Sequence, residues 1–208
     1  MRALILVDLQ RDFLPGGALA VPRSDEVIPV ANALQAAYDL VVATQDFHPR
    51  HHLSFAANHP DRHVGEIIDL DGLKQLLWPV HCVQGSNGAA FATDLDPRHI
   101  ARVFPKGEDP RVDSYSGFFD NGKRKATGLG DYLQERAVDE VHVLGLATDY
   151  CVKFTALDAI SLGFTTSLIV DGCRGVELKL GDVDRALDAL REAGVTLRRS
   201  ADILQDPT

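Results

Sequence analysis

The run ALILVDL, residues 3–9, stays apolar for five residues before it meets Asp8. LVVATQD, residues 40–46, does nearly the same and ends at Asp46. A strand exposed on one face alternates apolar and polar residues, whereas a strand covered on both faces reads as an unbroken apolar run. Further candidates follow in IARVFPKG, which ends near Lys106, then EVHVLGLAT, TTSLIVDGC and VTLRR. Helical patterns lie between them: SDEVIPVANALQAAYD, LGDYLQERAVD, VKFTALDAISLG and LGDVDRALDALREAG. Strand and helix in alternation predict a parallel sheet with helices on both faces. The expected fold is therefore α/β, three layers, with a mainly parallel, Rossmann-like sheet of about six strands. Ser24 or Asp25 is a plausible cap for the first helix, and Gly194 a stop for the last.

The remaining sequence bounds function by exclusion. A length of 208 residues suits one sizeable core, and no linker or repeat interrupts it, so one domain over 1–208 is expected. A formal net charge of −9 argues against a nucleic-acid partner. No apolar run approaches the ~20 residues that span a membrane. The opening MRALILVDLQRDF turns acidic too soon for a signal peptide. Three cysteines, Cys82, Cys151 and Cys173, form no CxxC pair and fit a reducing cytoplasm. Residues 47–99 show little regular structure, although DLDGLKQLL reads as a short helix. Residues 107–127 are rich in Gly, Asp and Ser. Loops this long in a compact domain usually serve a site.

Ligands of open parallel sheets bind beyond the carboxyl ends of the strands. Asp8, Asp46, Lys106, Cys151 and Asp171 all read as lying at such ends. Cys151 falls where a strand gives way to a helix, and a helix start favours a thiolate. It reads equally well as a packing cysteine. A thiol, a carboxylate and an ammonium make sense together: Cys151 attacks, Asp8 takes its proton, and Lys106 favours both anions.

A second constellation is TQDFHPRHHLSFA with WPVHC. Asp46 and His48 are two apart, so in extended chain they face one side. With His81 they offer a donor set for zinc, iron or manganese. His51 and His52 are further candidates, and the alternative is a His-rich surface loop. Cys82 is excluded as a partner of His81, because neighbours in extended chain point apart.

These residues resemble a known family. VDLQRDFLPGGALAV, TQDFHPRHHLSFA, WPVHCVQGSNGA, FPKGEDPRVDSYSGFFDN, GLATDYCVKFTALDA and DGCRGV are similar to the bacterial nicotinamidases within the isochorismatase-like hydrolases. The resemblance implies a catalytic triad of Asp8, Lys106 and Cys151. It implies one divalent metal, zinc or iron most often and manganese next, on Asp46, His48 and His81, with His52 as a possible further ligand. It also implies a cis peptide at Leu146–Ala147, an oxyanion hole from the Ala147 and Cys151 N–H groups, and Phe13 and Trp78 flanking a pyridine ring. The implied activity is hydrolysis of nicotinamide, with pyrazinamide as a further substrate, in NAD salvage. The implied partners are that small molecule, no organic cofactor, no nucleic acid and no membrane, in a monomer or homo-oligomer. Two rivals stand beside it: another amide hydrolase of this fold, and a non-catalytic metal-binding protein.

Overall fold

A computed structural model describes residues 1–205. Its centre is a six-stranded sheet built from β1 (Arg2–Val7), β2 (Leu40–Asp46), β5 (Ile100–Lys106), β6 (Glu140–Leu146), β7 (Thr165–Arg174) and β8 (Thr196–Arg198). The order is β5-β2-β1-β6-β7-β8, and every pairing is parallel. β1 is buried from Ala3 to Val7 because neighbours and helices cover it completely. That coverage accounts for its unbroken apolar run.

The chain leaves β1 toward β2 and β5, then returns and continues from β6 toward β7 and β8. The order therefore reverses between β1 and β6, where a crevice opens beyond the strand ends. Right-handed crossovers running in opposite directions put their helices on opposite faces. Accordingly α1 (Val27–Gln35) packs with α5 (Ser200–Gln205), while α3 (Lys153–Ser161) packs with α4 (Asp182–Glu192), and both α1 and α3 rest on β7. α2 (Leu129–Gln134) precedes β6. No helix among the described residues is long and apolar enough to cross a membrane.

Several local expectations are corrected. DLDGLKQLL is not a helix but an antiparallel hairpin, β3 (Ile67–Leu70) and β4 (Leu73–Leu76). Asp71 and Gly72 turn it with φ of 50° and 81°, the two-residue hairpin chemistry that overrides a short helical spacing. Ser24–Glu26 forms a 3₁₀ turn, and α1 begins at Val27 without a side-chain cap. Asp171 does not follow its strand. It lies inside β7, and its carboxylate accepts hydrogen bonds from the Ser200 N–H (2.9 Å) and hydroxyl (2.5 Å). Cys151 does lie where β6 gives way to a helix, in a π-helical turn, Thr148–Val152, that runs directly into α3.

Candidate active site

Asp8 follows β1, Asp46 and Lys106 are the last residues of β2 and β5, and Cys151 lies in the turn after β6. These strands are consecutive in the sheet, so the four side chains meet at its carboxyl edge. Lys106 Nζ lies 2.8 Å from Asp8 Oδ2 and 3.4 Å from Cys151 Sγ, and it pairs with Asp46 Oδ1. It also donates to the Ser114 carbonyl at 2.9 Å. Thr44 donates to the other oxygen of Asp8 at 2.6 Å. All four side chains are buried.

One ammonium thus serves two carboxylates and a thiol. Burial alone would raise the Asp46 carboxyl, but Lys106 and His48 outweigh it and hold Asp46 well below the usual range. Asp8 goes the other way: burial raises it, Lys106 opposes, and the Asp46 charge raises it further. Lys106 stays charged because Asp46 and Asp8 outweigh its desolvation. Burial also pushes the Cys151 thiol well up, against the attraction of Lys106. Lys106 is therefore the charge that favours the thiolate here, working against burial. Groups whose protonation is pushed apart in this way are suited to exchanging a proton.

Beside this cluster, Asp46 Oδ2 faces His48 Nε2 at 3.6 Å and His81 Nε2 at 3.7 Å. The outer nitrogens are engaged elsewhere: His48 Nδ1 lies 2.9 Å from the Gly107 carbonyl and His81 Nδ1 2.8 Å from the Pro79 carbonyl. A carbonyl can only accept, so each Nδ1 carries a hydrogen, and in its neutral form each ring leaves Nε2 as the nitrogen that can present a lone pair on the Asp46 side. Two ligands of one tetrahedral ion stand about 3.3–3.5 Å apart, given bonds of about 2.0–2.1 Å. These three residues therefore fit a divalent metal ion. Gly107 allows the approach: with φ +68°, a Cβ there would lie 2.3 Å from His48 Cε1.

His52 groups instead with His48 and Asp113. Its Nδ1 accepts the Ser54 N–H at 3.1 Å, and burial pushes the ring down to about 4. His51 is exposed. Cys82 is buried but outside the metal trio.

A small cavity of about 30 Å³ joins the two clusters, and Phe13, Trp78, His81, Ala147 and Cys151 contribute to its wall. The Leu146–Ala147 peptide is cis. The Phe13 ring lies 5.6 Å from that of His81. Trp78 meets Tyr150 edge-on at 4.8 Å and donates to the Tyr115 hydroxyl at 3.1 Å. Tyr115 and Tyr150 also border the cavity, and neither stood out in the sequence. Nor did Thr44, Ser114 or Gln10. The Gln10 amide brackets the Asp46 backbone, accepting its N–H and donating to its carbonyl, both at 2.8 Å. No periodicity marks such residues; only their nearness to strand ends could have drawn attention.

This constellation invites comparison with known proteins. Residues 2–202 match the model of the isochorismatase domain. The chain belongs to the isochorismatase family. Within that family it is 52% identical over 205 residues to the nicotinamidase of Escherichia coli, covering 97% of this chain and 96% of that one. A solved structure, an Acinetobacter baumanii nicotinamidase/pyrazinamidase, superposes with a TM-score of 0.94 at 44% identity, covering 97% of each chain. The pyrazinamidase of Pyrococcus horikoshii, solved in complex with zinc, gives 0.77 at 37% identity, covering 95% of this chain and 98% of that one.

Proposed function

We propose that this chain hydrolyses nicotinamide to nicotinate and ammonia through a thioester on Cys151, and accepts pyrazinamide in the same way. The observation that carries the mechanism is the meeting of Asp8, Lys106 and Cys151 in one buried cluster beside a cavity that Asp46 and His81 also border. The Escherichia coli relative is a nicotinamidase, and the similarity spans nearly the whole chain.

Phe13 and Trp78 flank the pyridine ring and set the carboxamide carbon over Cys151 Sγ. A divalent ion on Asp46, His48 and His81, zinc or iron first and manganese next by donor chemistry, supplies a Lewis-acid anchor for the ring nitrogen. Asp8 takes the thiol proton as sulfur attacks the carbonyl carbon. The Ala147 and Cys151 N–H groups receive the developing oxyanion. Asp8 returns the proton to the leaving nitrogen, the C–N bond breaks, and ammonia departs. Asp8 next takes a proton from water, whose oxygen attacks the thioester; the C–S bond breaks, and the proton restores the thiol as nicotinate leaves. Lys106 keeps its charge throughout and offsets whichever of Asp8 and Cys151 is anionic. The metal-binding loop falls in residues 46–99 of a single hydrolase domain, and nicotinate returns to NAD salvage. Three buried free cysteines support a reducing, cytoplasmic setting.

Ammonia release from nicotinamide and pyrazinamide, before and after chelation, tests this reading. Rapid release that a chelator suppresses and added metal restores is expected. A purified, metal-loaded protein that releases no ammonia from either amide overturns it.

A further inference from the structure

Asp12 lies outside both clusters, yet its carboxylate is fully committed to backbone. Oδ2 accepts the Cys82 N–H at 2.7 Å, and Oδ1 accepts the Ala18 N–H at 3.3 Å. Space for this carboxylate depends on Gly88, where a Cβ would lie 2.1 Å from Oδ2 and 2.3 Å from Oδ1. The contact is therefore closely built around the acid.

Its partner is an unusual residue. Cys82 has a φ of +45°, a region that side chains other than glycine seldom adopt without support. It follows His81 directly, and its carbonyl accepts the His48 N–H at 3.0 Å. Cys82 thus connects the backbones of both imidazole residues. The segment that carries Asp12 also carries Phe13 and Leu19, which border the cavity, and the Leu19 N–H donates to the Asp12 carbonyl at 2.9 Å.

We infer that Asp12 is a positioning residue for the metal trio: by holding the Cys82 N–H it fixes the backbone from which His48 and His81 present Nε2 to Asp46. The inference rests on the metal reading given above. Asp12 touches neither the ion's ligand atoms nor the Asp8–Lys106–Cys151 cluster, so its effect is on metal retention rather than on the nucleophile. Outer partners of metal ligands commonly change affinity about 10–100-fold when removed.

The test is zinc affinity by chelator competition on the parent, Asp12→Ala and Asp12→Asn, with thermal melting to establish folding and Cys151 alkylation as a second readout. Asp12→Ala should bind zinc about 10–100-fold more weakly, with alkylation at the parent rate. Asp12→Asn keeps one acceptor for the Cys82 N–H and should recover part of the loss, to about three- to tenfold. A folded Asp12→Ala that binds zinc within about twofold of the parent overturns the inference. If Asp12→Ala does not fold, Asp12→Asn decides: a loss in the expected range supports the role, and unchanged affinity overturns it. A parent that holds no zinc defeats the metal reading, and this inference with it; equal binding by parent and variant defeats this inference alone.

Discussion

Lys106 Nζ lies 2.8 Å from Asp8 Oδ2, yet its hydrogen bonds go to Asp46 Oδ1, the Ser114 carbonyl and Cys151 Sγ. An ammonium has three hydrogens, so Asp8 competes for them with three other acceptors. Asp8 Oδ2 is accordingly held by its ion pair with Lys106, with the Cys151 thiol on the same side of the cluster. A carboxylate oxygen in that state is electrostatically held and still free to accept a proton. The same arrangement separates the two acids: Asp46 takes the stronger stabilisation and stays ionised, while Asp8 is raised.

Activity should respond to this shift on the acid side. Asp8 accepts the thiol proton only when ionised, and its folded-state carboxyl is raised, chiefly by burial. As pH falls, the active form is therefore lost earlier than an ordinary aspartate would allow. The acid limb of kcat/KM should lie above the usual value of about 3.9. Asp8→Asn should lower turnover by at least ~10²–10⁴-fold across the range, the scale of general acid–base catalysis. Ammonia release followed against pH checks both; an Asp8→Asn enzyme near parental activity removes Asp8 from proton transfer.

Cys151→Ala should abolish turnover and leave the metal in place, because Sγ is not part of the Asp46–His48–His81 trio. Cys82→Ala and Cys173→Ala should keep most activity, since neither thiol is the proposed nucleophile and the contacts of Cys82 with Asp12 and His48 are made by its backbone. Mass spectrometry of quenched turnover should find the nicotinoyl group on Cys151. Ammonia release by Cys151→Ala at a near-parental rate would be incompatible with a thioester route.

Lys106→Ala should act on stability and reactivity together. It leaves Asp8 and Asp46, both buried, without their shared cation. Removing one partner from a buried pair costs about 3–5 kcal/mol. Lys106 also lowers the Cys151 thiol, so its loss should raise that thiol further and slow alkylation at neutral pH. A thermal melt and an iodoacetamide time course measure the two effects. Equal alkylation rates in parent and variant would take Lys106 out of thiol activation.

Benzamide separates the metal contact from aromatic packing. It keeps the scissile amide and the flat ring that Phe13 and Trp78 are proposed to flank, but lacks the ring nitrogen. A site built for a polar partner can discriminate by ~10⁴-fold against an analogue without it. Solvent can take the open metal position here, so a smaller but still large loss is expected. His48→Ala and His81→Ala should weaken metal retention and reduce nicotinamide turnover together. If the metal-free protein turns over nicotinamide and benzamide as well as the loaded one, the anchoring role of the trio is wrong.

Much of this molecule is legible from local pattern. β1 and β2 read correctly because burial on both faces leaves nearly unbroken apolar runs, a property of adjacent residues. Asp8, Asp46, Lys106 and Cys151 could be placed at one edge because parallel strands share one direction. The hairpin at Ile67–Leu76 was also written in the sequence, in the Asp71–Gly72 turn, but a short helical spacing hid it. Asp171 shows where strand-end counting fails, since β7 continues three residues beyond it. Tertiary structure alone decided the rest. Gln10 reaches the Asp46 backbone across 36 positions of sequence, and Lys106 reaches Asp46 across 60. No periodicity encodes such pairings, because they exist only once the strands lie side by side. The protonation of Asp8 and Cys151 is decided at the same stage: it depends on how many anions share one buried lysine and how far water is excluded, and both follow from distances that the assembled sheet sets.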